Sequence, residues 1–302
     1  MSDETFRCGT VALLGRPNVG KSTLMNHIIR AKVAIVTPKP QTTRHRILGV
    51  YNDDASQIIF VDTPGIHKGD KQLNRNMVRI AYAAAEEADV LAIMQDVTCP
   101  LDRVTRELIE RFADGRLTQP RIHVLNKVDA IKKDDLLPRL AMMQRLDPGA
   151  VAYIPVSARR GMQIESLLKQ LTGLLPQQPA LHDPEWFTDQ TQRQLAAEYV
   201  REQVFLAMQQ EVPFQTAVDI ERFEEQGEGI EIDAVILVGS ERHKPMLIGK
   251  GGSRMKDIGV RARKGLENIL DCRVHLNLWV RVDEDWFNHP GKLLDLGLGT
   301  DQ

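Results

Sequence analysis

The stretch Gly15-Arg16-Pro17-Asn18-Val19-Gly20-Lys21-Ser22-Thr23 limits the fold of this chain more than any other. Its spacing, G-x-x-x-x-G-K-[ST] from Gly15 to Ser22, follows an apolar run at 10–14 and precedes another at 24–29, so the loop joins a strand to a helix. The glycines let backbone N–H groups turn inward at a helix N-terminus, where the peptide dipoles favour an anion. Lys21 is placed to reach terminal phosphates, and the Ser22 hydroxyl to ligate Mg²⁺.

The surrounding pattern agrees with such a loop. Apolar runs at 11–14, 58–61, 90–94, 121–125 and 151–155 alternate with helical patterns near 22–29, 77–86, 103–112, 136–144 and 164–175. Alternation of this kind predicts an α/β fold, a doubly wound parallel sheet covered on both faces. Three prolines within 174–186 block helix continuation and read as a linker. Beyond it the order becomes a helix (190–210), two β-rich runs (214–223 and 229–238), a Gly-interrupted helical pair and a strand (274–282). That is α-β-β-α-α-β, a second, smaller α+β domain. The expected bounds are 7–175 for the first domain, 176–188 for the linker, 189–288 for the second domain and 289–302 for a tail.

Across 302 residues the net charge is −2, so the molecule is no polycation and a nucleic-acid site must be a local patch. Seven acids accompany one arginine between Asp219 and Asp233, around a hairpin turn at Gly227 and Gly229, and read as a solvated face. Eight bases face two acids between Glu241 and Lys264. Cys8, Cys99 and Cys272 are far apart and odd in number, which argues for free thiols and against a disulfide framework or a zinc site. With no signal-peptide pattern at the start and no long uncharged apolar run, a soluble cytoplasmic protein is expected.

Three further motifs name the nucleotide. Phe60-Val-Asp62-Thr63-Pro64-Gly65 ends a strand with a carboxylate that can hold Mg²⁺ through a water, and a glycine whose backbone can approach a γ-phosphate. Asn126-Lys127-Val-Asp129 ends another strand; Asp129 can accept both the N1–H and the exocyclic amine of guanine, and Lys127 can lay its stem over the base. Ser157-Ala158-Arg159 follows a third strand and can offer the Ala158 N–H to guanine O6. All of them fall at strand carboxyl ends, where open α/β sheets bind ligands. The expected ligands are GTP and GDP with Mg²⁺.

Residues 9–175 resemble a translation-factor-type GTPase domain, and Gln41-Thr-Thr-Arg-His-Arg46, like the opening loop, resembles the bacterial Era family. By that resemblance Thr43 is the switch threonine that ligates Mg²⁺ and senses the γ-phosphate, with Thr42 the poorer candidate. Where signalling GTPases place a water-orienting glutamine, this chain has Ile66. Hydrolysis is therefore slow or takes its electrostatic help from elsewhere. Asn18 is either a plain turn residue or, as the resemblance implies, a residue that works with a bound K⁺ between the phosphates. Lys21, Thr43 and Asn18 are the candidates for catalysis.

In the second domain, Ile248-Gly249-Lys250-Gly251-Gly252 follows what reads as an apolar strand end and precedes a helix carrying Arg254, Lys256 and Ile258. A G-x-x-G loop lets an RNA backbone approach, bases neutralise its phosphates, and apolar side chains such as Ile248 and Ile258 line a groove for the nucleobases. This α-β-β-α-α-β frame resembles the bacterial, type II KH domain. The combination of domains is that of the Era family over essentially the whole chain. The resemblance implies a monomer that binds the 3′ end of 16S rRNA and acts in 30S ribosomal subunit assembly and maturation. It also implies peripheral association with the inner membrane, for which the sequence offers no amphipathic or lipid-anchored segment. Two other readings compete: a constitutive RNA-binding protein with a structural nucleotide pocket, which Ile66 keeps open, and a kinase, for which no acceptor pocket is evident.

Overall fold

The computed structural model describes residues 6–67 and 71–299, which divide into two compact units. Among the described residues the first unit holds 6–34, 43–67 and 77–189, and the second holds 35–42, 71–76 and 190–299.

The first unit is built on a six-stranded sheet of order β2-β3-β1-β4-β5-β6. Its strands are β1 (Arg7–Leu14), β2 (Ile47–Asn52), β3 (Ser56–Asp62), β4 (Val90–Asp96), β5 (Arg121–Asn126) and β6 (Ala152–Pro155). Every residue of β3 and β4 is buried, as befits inner strands covered on both faces. Val11 and Leu13 of β1 pack with Leu24 of α1 (Lys21–Ile29) and with Leu167 and Leu171 of α5 (Ile164–Leu174). The alternate residues Ala12 and Leu14 point the other way, toward Ala81 and Ala85 of α2 (Gln72–Glu87) and Leu108 of α3 (Arg103–Ala113). A further helix, α4 (Lys133–Leu146), packs Leu140 and Met143 beside Leu125.

The alternation predicts a parallel sheet, and one strand departs from it. Strand β2 runs antiparallel to β3 at the sheet edge, through a turn in which Asp53 Oδ1 accepts from Ala55 N at 2.9 Å and Ser56 Oγ at 3.0 Å. Six residues with a central glycine carry too weak a pattern to announce a strand; pairing with β3 creates it. The segment read as a linker is pinned along that edge. Phe187 O accepts from Val50 N at 3.0 Å, Asp189 Oδ1 from Leu48 N at 3.0 Å, and Thr188 Oγ1 donates to Leu48 O at 2.8 Å. An edge strand exposes unpaired backbone groups, and this segment covers them.

The second unit runs α6 (Gln192–Ala207), β7 (Thr216–Gln226), β8 (Gly229–Val238), α7 (His243–Ile248), α8 (Ser253–Leu270) and β9 (Arg273–Val282), the expected order, with α9 (Pro290–Asp295) where a tail is expected. Thr191 caps α6 through a reciprocal box with Gln194. Strands β7 and β8 pair antiparallel, β8 and β9 parallel. Helices α6 and α8 cover one face, burying Tyr199, Val200, Ile232, Ile236, Ala262 and Leu266 together. They approach closely at Gly265, where a Cβ would lie 2.7 Å from the Tyr199 ring.

Candidate functional site

The nucleotide candidates gather at the carboxyl ends of the first unit's strands. Residues 15–20 turn from β1 into α1 through Gly15 (φ +146), Asn18 (φ +63) and Gly20 (φ +103). A Cβ on Gly15 would come within 2.6 Å of the Met94 carbonyl oxygen, and one on Gly20 within 2.2 Å of the Asn126 amide nitrogen. Val19 is buried in the core, Arg16 lies 3.6 Å from both Asp96 and Asp102, and Thr23 is half-buried on α1. The Lys21 ammonium is buried, 3.2 Å from the carbonyl oxygens of Gly15 and Arg16. Removal from water pushes its pKa down to about 8, against the attraction of Asp62 and Asp102. A phosphate alongside would push it back up.

Gly20→Ala is expected to weaken nucleotide binding by about tenfold or more, since both backbone conformation and the Asn126 contact must yield. Titration with a fluorescent GDP, alongside a melting curve, measures it; unchanged affinity in a folded variant would show that this turn tolerates a side chain.

Ser22, Thr43 and Asp62 converge. Ser22 Oγ lies 2.5 Å from Asp62 Oδ2 and 3.0 Å from Thr43 Oγ1, which is itself 3.3 Å from Asp62 Oδ2. The Thr42 hydroxyl lies 2.8 Å from that of Thr37 and donates to Lys39 O at 2.9 Å. The other carboxylate oxygen, Asp62 Oδ1, is buried without a hydrogen-bond partner. Burial raises the Asp62 pKa, with Lys21, Ser22 and Thr43 opposing. A buried, unsatisfied carboxylate oxygen beside two hydroxyls is a hard-oxygen donor set, and Mg²⁺ fits it.

The next turn rests on the phosphate loop. Thr63 Oγ1 donates to Leu13 O at 2.7 Å, Pro64 is buried, and a Cβ on Gly65 would lie 2.6 Å from Pro17 N. Ile66 N donates to Gly15 O at 3.2 Å, while its side chain is buried against Ala12, Leu14 and Ala81. An apolar group turned into the core cannot hold a water.

On the base side, Asn126 ties two loops together: Nδ2 donates to Val19 O at 2.7 Å, and Oδ1 accepts from Ala158 N at 2.9 Å. The Ala158 N–H, expected to stand open for guanine O6, is therefore engaged, because the buried Asn126 amide needs a donor. Lys127 adopts a left-handed backbone and sends Nζ across to Asn18 O at 2.8 Å and Asp96 Oδ2 at 2.7 Å. Asp129 Oδ2 lies 3.5 Å from Arg160 Nε, and Ser157 Oγ accepts from Arg160 N at 3.1 Å. Asp96 was not among the sequence candidates. Burial works to raise its carboxyl, but hydrogen bonds from Lys127 and Thr98 together hold it below the ordinary range. A carboxylate closing the buried strand β4 is the signal that points to it.

In the second unit Gly249 (φ +74), Gly251 (φ +60) and Gly252 (φ +78) carry the chain from α7 into α8. Residues 246–248, read as a strand end, instead close α7: its carbonyls find partners locally, Pro245 O accepting from Gly249 N at 3.0 Å. A Cβ on Gly251 or Gly252 would meet nothing within 4 Å. The loop opens onto a groove of about 640 Å³ lined by Ile248, Gly252, Met255, Lys256, Arg263 and Leu278. Lys250 is exposed at its mouth. Two candidates are placed otherwise than the sequence suggests. Ile258 is 1% exposed, in the core rather than the groove, because its turn of α8 faces the sheet. Arg254 turns back to hydrogen-bond Met246 O, completing the end of α7.

A phosphate loop, a hydroxyl–carboxylate cluster and a guanine-suited Asn-Lys-Val-Asp turn on one doubly wound sheet define a P-loop GTPase, here with a KH unit attached. Residues 10–127 match the family described as 50S ribosome-binding GTPase, and 211–287 match the KH domain. GTPase Era of Nitratidesulfovibrio vulgaris is 42% identical over 312 residues, spanning 100% of both chains, and GTPase Era of Pseudomonas fluorescens is 42% identical over 97% of each. A solved Aquifex aeolicus Era variant bound to GDP and aluminium fluoride superposes with a TM-score of 0.94 at 38% identity, over 98% of this chain and 100% of that one. An Era solved with MgGDPNP and nucleotides 1506–1542 of 16S ribosomal RNA also gives 0.94, at 39% identity and the same coverage. The chain belongs to the Era family of GTPases, enzymes that hydrolyse GTP.

Proposed function

We propose that this GTPase couples hydrolysis of GTP to its hold on the 3′ end of 16S rRNA, and so acts in assembly and maturation of the 30S ribosomal subunit. The observation that carries the proposal is the pairing, in one chain, of the Ser22–Thr43–Asp62 cluster with an unobstructed G-x-x-G loop. The relative solved with MgGDPNP and a 16S rRNA segment supports the same pairing of ligands.

In this reading Gly15 to Thr23 wrap the phosphates, with Lys21 as their buried counter-charge. Ser22, Thr43 and Asp62 hold Mg²⁺, which supplies charge neutralisation at the phosphates. Gly65 keeps the following turn close to Pro17, where a side chain would force it outward. Asp129 selects guanine, and Asn126 braces the loops on either side of it. Ile248, Gly249 to Gly252 and Lys256 receive the RNA. Crosslinking the protein to RNA in cells and sequencing what is attached tests the target; recovery of RNAs without enrichment of the 16S 3′ end would overturn it.

With Ile66 buried, the electrostatic help for hydrolysis comes from a K⁺ ion working with Asn18. The competing turn-residue reading draws on the left-handed backbone of Asn18, a conformation asparagine tolerates. Exchange of K⁺ for Na⁺ separates the two. Turnover of the parent is expected to fall roughly tenfold or more, and Asn18→Ala to respond little. Equal rates in both salts for the parent would remove K⁺ from the mechanism.

We also propose that the protein works as a cytoplasmic monomer. Among the described residues no helix is long and apolar enough to cross a membrane, so association with the inner membrane is taken as peripheral.

A further inference from the structure

Helix α8 carries two glycines in its interior, Gly259 and Gly265. Glycine is the poorest helix former after proline, so a mid-helix glycine calls for a reason in its surroundings. Gly265 has one inside the fold: a Cβ there would lie 2.7 Å from the Tyr199 ring, where α6 packs on α8. Gly259 does not. Among the described residues a Cβ on it would meet only Leu278 Cδ1, at 3.4 Å, an ordinary van der Waals separation from the tip of a flexible side chain. No described neighbour keeps an alanine out.

What lies beside Gly259 is the groove. Gly252, Met255, Lys256, Gly259, Val260 and Arg263 line it, at spacings of three and four residues that mark a single face of α8. Gly259 sits midway along that face, with side chains on either side of it and none of its own. Leu278 of β9 stands across from it, so bare helix backbone and the Leu278 side chain form the floor of the groove at this level. Five consecutive residues of β9, 276–280, border the groove whichever face their side chains take, as only a strand edge can. Among the described residues β9 pairs with β8 alone, so that edge presents backbone N–H and C=O groups. Lys256 and Arg263 place cations about one turn to either side, Arg263 3.9 Å from Glu267.

We infer, resting on the RNA reading of this groove, that Gly259 sets the depth of a nucleobase subsite. A base of single-stranded RNA lies flat over the Gly259 backbone and Leu278, its rim toward the β9 edge and its flanking phosphates toward Lys256 and Arg263. A flat ring can approach a helix backbone this closely only where no side chain intervenes. A methyl group at 259 would leave the chain undisturbed and occupy the place of the ring. The glycines of the loop admit the sugar–phosphate backbone; Gly259, about two turns further on, admits a base.

The test uses the full chain and a fluorescently labelled 16S 3′-end oligonucleotide. Gly259→Ala is expected to melt at the parent's temperature or about 2 °C above it, because alanine favours the helix and its methyl group has room. Its RNA affinity, read by anisotropy, is expected to fall about tenfold or more, the effect of one excess methyl group in a fitted pocket. The slope of affinity against salt is expected to match the parent's, since no phosphate contact is removed. Gly265→Ala is the opposite case and is expected to melt lower, since the Tyr199 ring must move. Parental RNA affinity in a folded Gly259→Ala overturns the inference. A melting temperature that falls along with affinity does so too, for Gly259 would then be a packing glycine like Gly265. A flattened salt slope would trace the loss to displaced cations and overturn it as well. Failure of the parent itself to bind the oligonucleotide overturns the RNA reading of the groove, and the inference with it.

Discussion

Asp129→Asn is expected to lower GTP affinity by about a hundredfold or more and to admit xanthosine triphosphate in its place. Guanine presents two donors, N1–H and the exocyclic amine, and a carboxylate accepts both. An amide in that position turns one acceptor into a donor facing the amine, so one contact is lost and another becomes repulsive. Xanthine carries an oxygen where guanine carries the amine, and the new donor suits it. The carboxylate is partly exposed, and its recorded ion pair, 3.5 Å from Arg160 Nε, is a loose one. The substitution should therefore leave the fold intact. Competition between GTP and xanthosine triphosphate for the labelled nucleotide reads the result. GTP affinity equal to the parent's would reduce 126–129 to an ordinary turn and remove the base assignment.

Lys250→Asp combined with Gly251→Asp is expected to cost RNA affinity an order of magnitude or more and to abolish any stimulation of GTP hydrolysis by RNA. The pair removes one positive charge and adds two negative ones where the backbone of the RNA is to pass. Folding is the obvious objection, and the loop answers much of it. A Cβ at Gly251 meets nothing within 4 Å, so the only strain is the positive φ of +60, a conformation that aspartate tolerates better than most residues. Circular dichroism and a melting curve check the rest. A folded double variant that binds the 16S 3′-end oligonucleotide as tightly as the parent would show α8 to be a solvated basic face and nothing more.

Both predictions rest on residues legible before any coordinates, and the reason is physical. A phosphate loop needs glycines at Gly15 and Gly20 because a Cβ there would strike Met94 and Asn126, and such needs write themselves into spacing. The same holds for the strand-end carboxylates Asp62 and Asp129 and for the three glycines between α7 and α8. Local chemistry of this kind leaves few residue choices, so the class of nucleotide, the parallel part of the sheet and the α-β-β-α-α-β order could all be read from the pattern along the chain.

What the tertiary structure alone decided concerns direction and partnership. Ile248 and Ile258 look alike in sequence, yet α8 turns Ile258 into the core and leaves Ile248 on the groove, since helix rotation is set by what packs beneath it. Arg254 and Lys256 carry the same charge, but only Arg254 reaches back to Met246 O. The proline-rich stretch before Asp189 reads as a tether until β2 offers it an unpaired edge, and β2 itself becomes a strand only by pairing with β3. Asp96 gains its place from Lys127 and Arg16, which meet it only when β4 lies between β5 and β1. Sequence by itself determined which chemistry each loop can perform, because backbone conformation and functional groups are local properties. Register and packing decided which groups face the ligand, the core or the solvent, because those are properties of neighbours far apart in the chain.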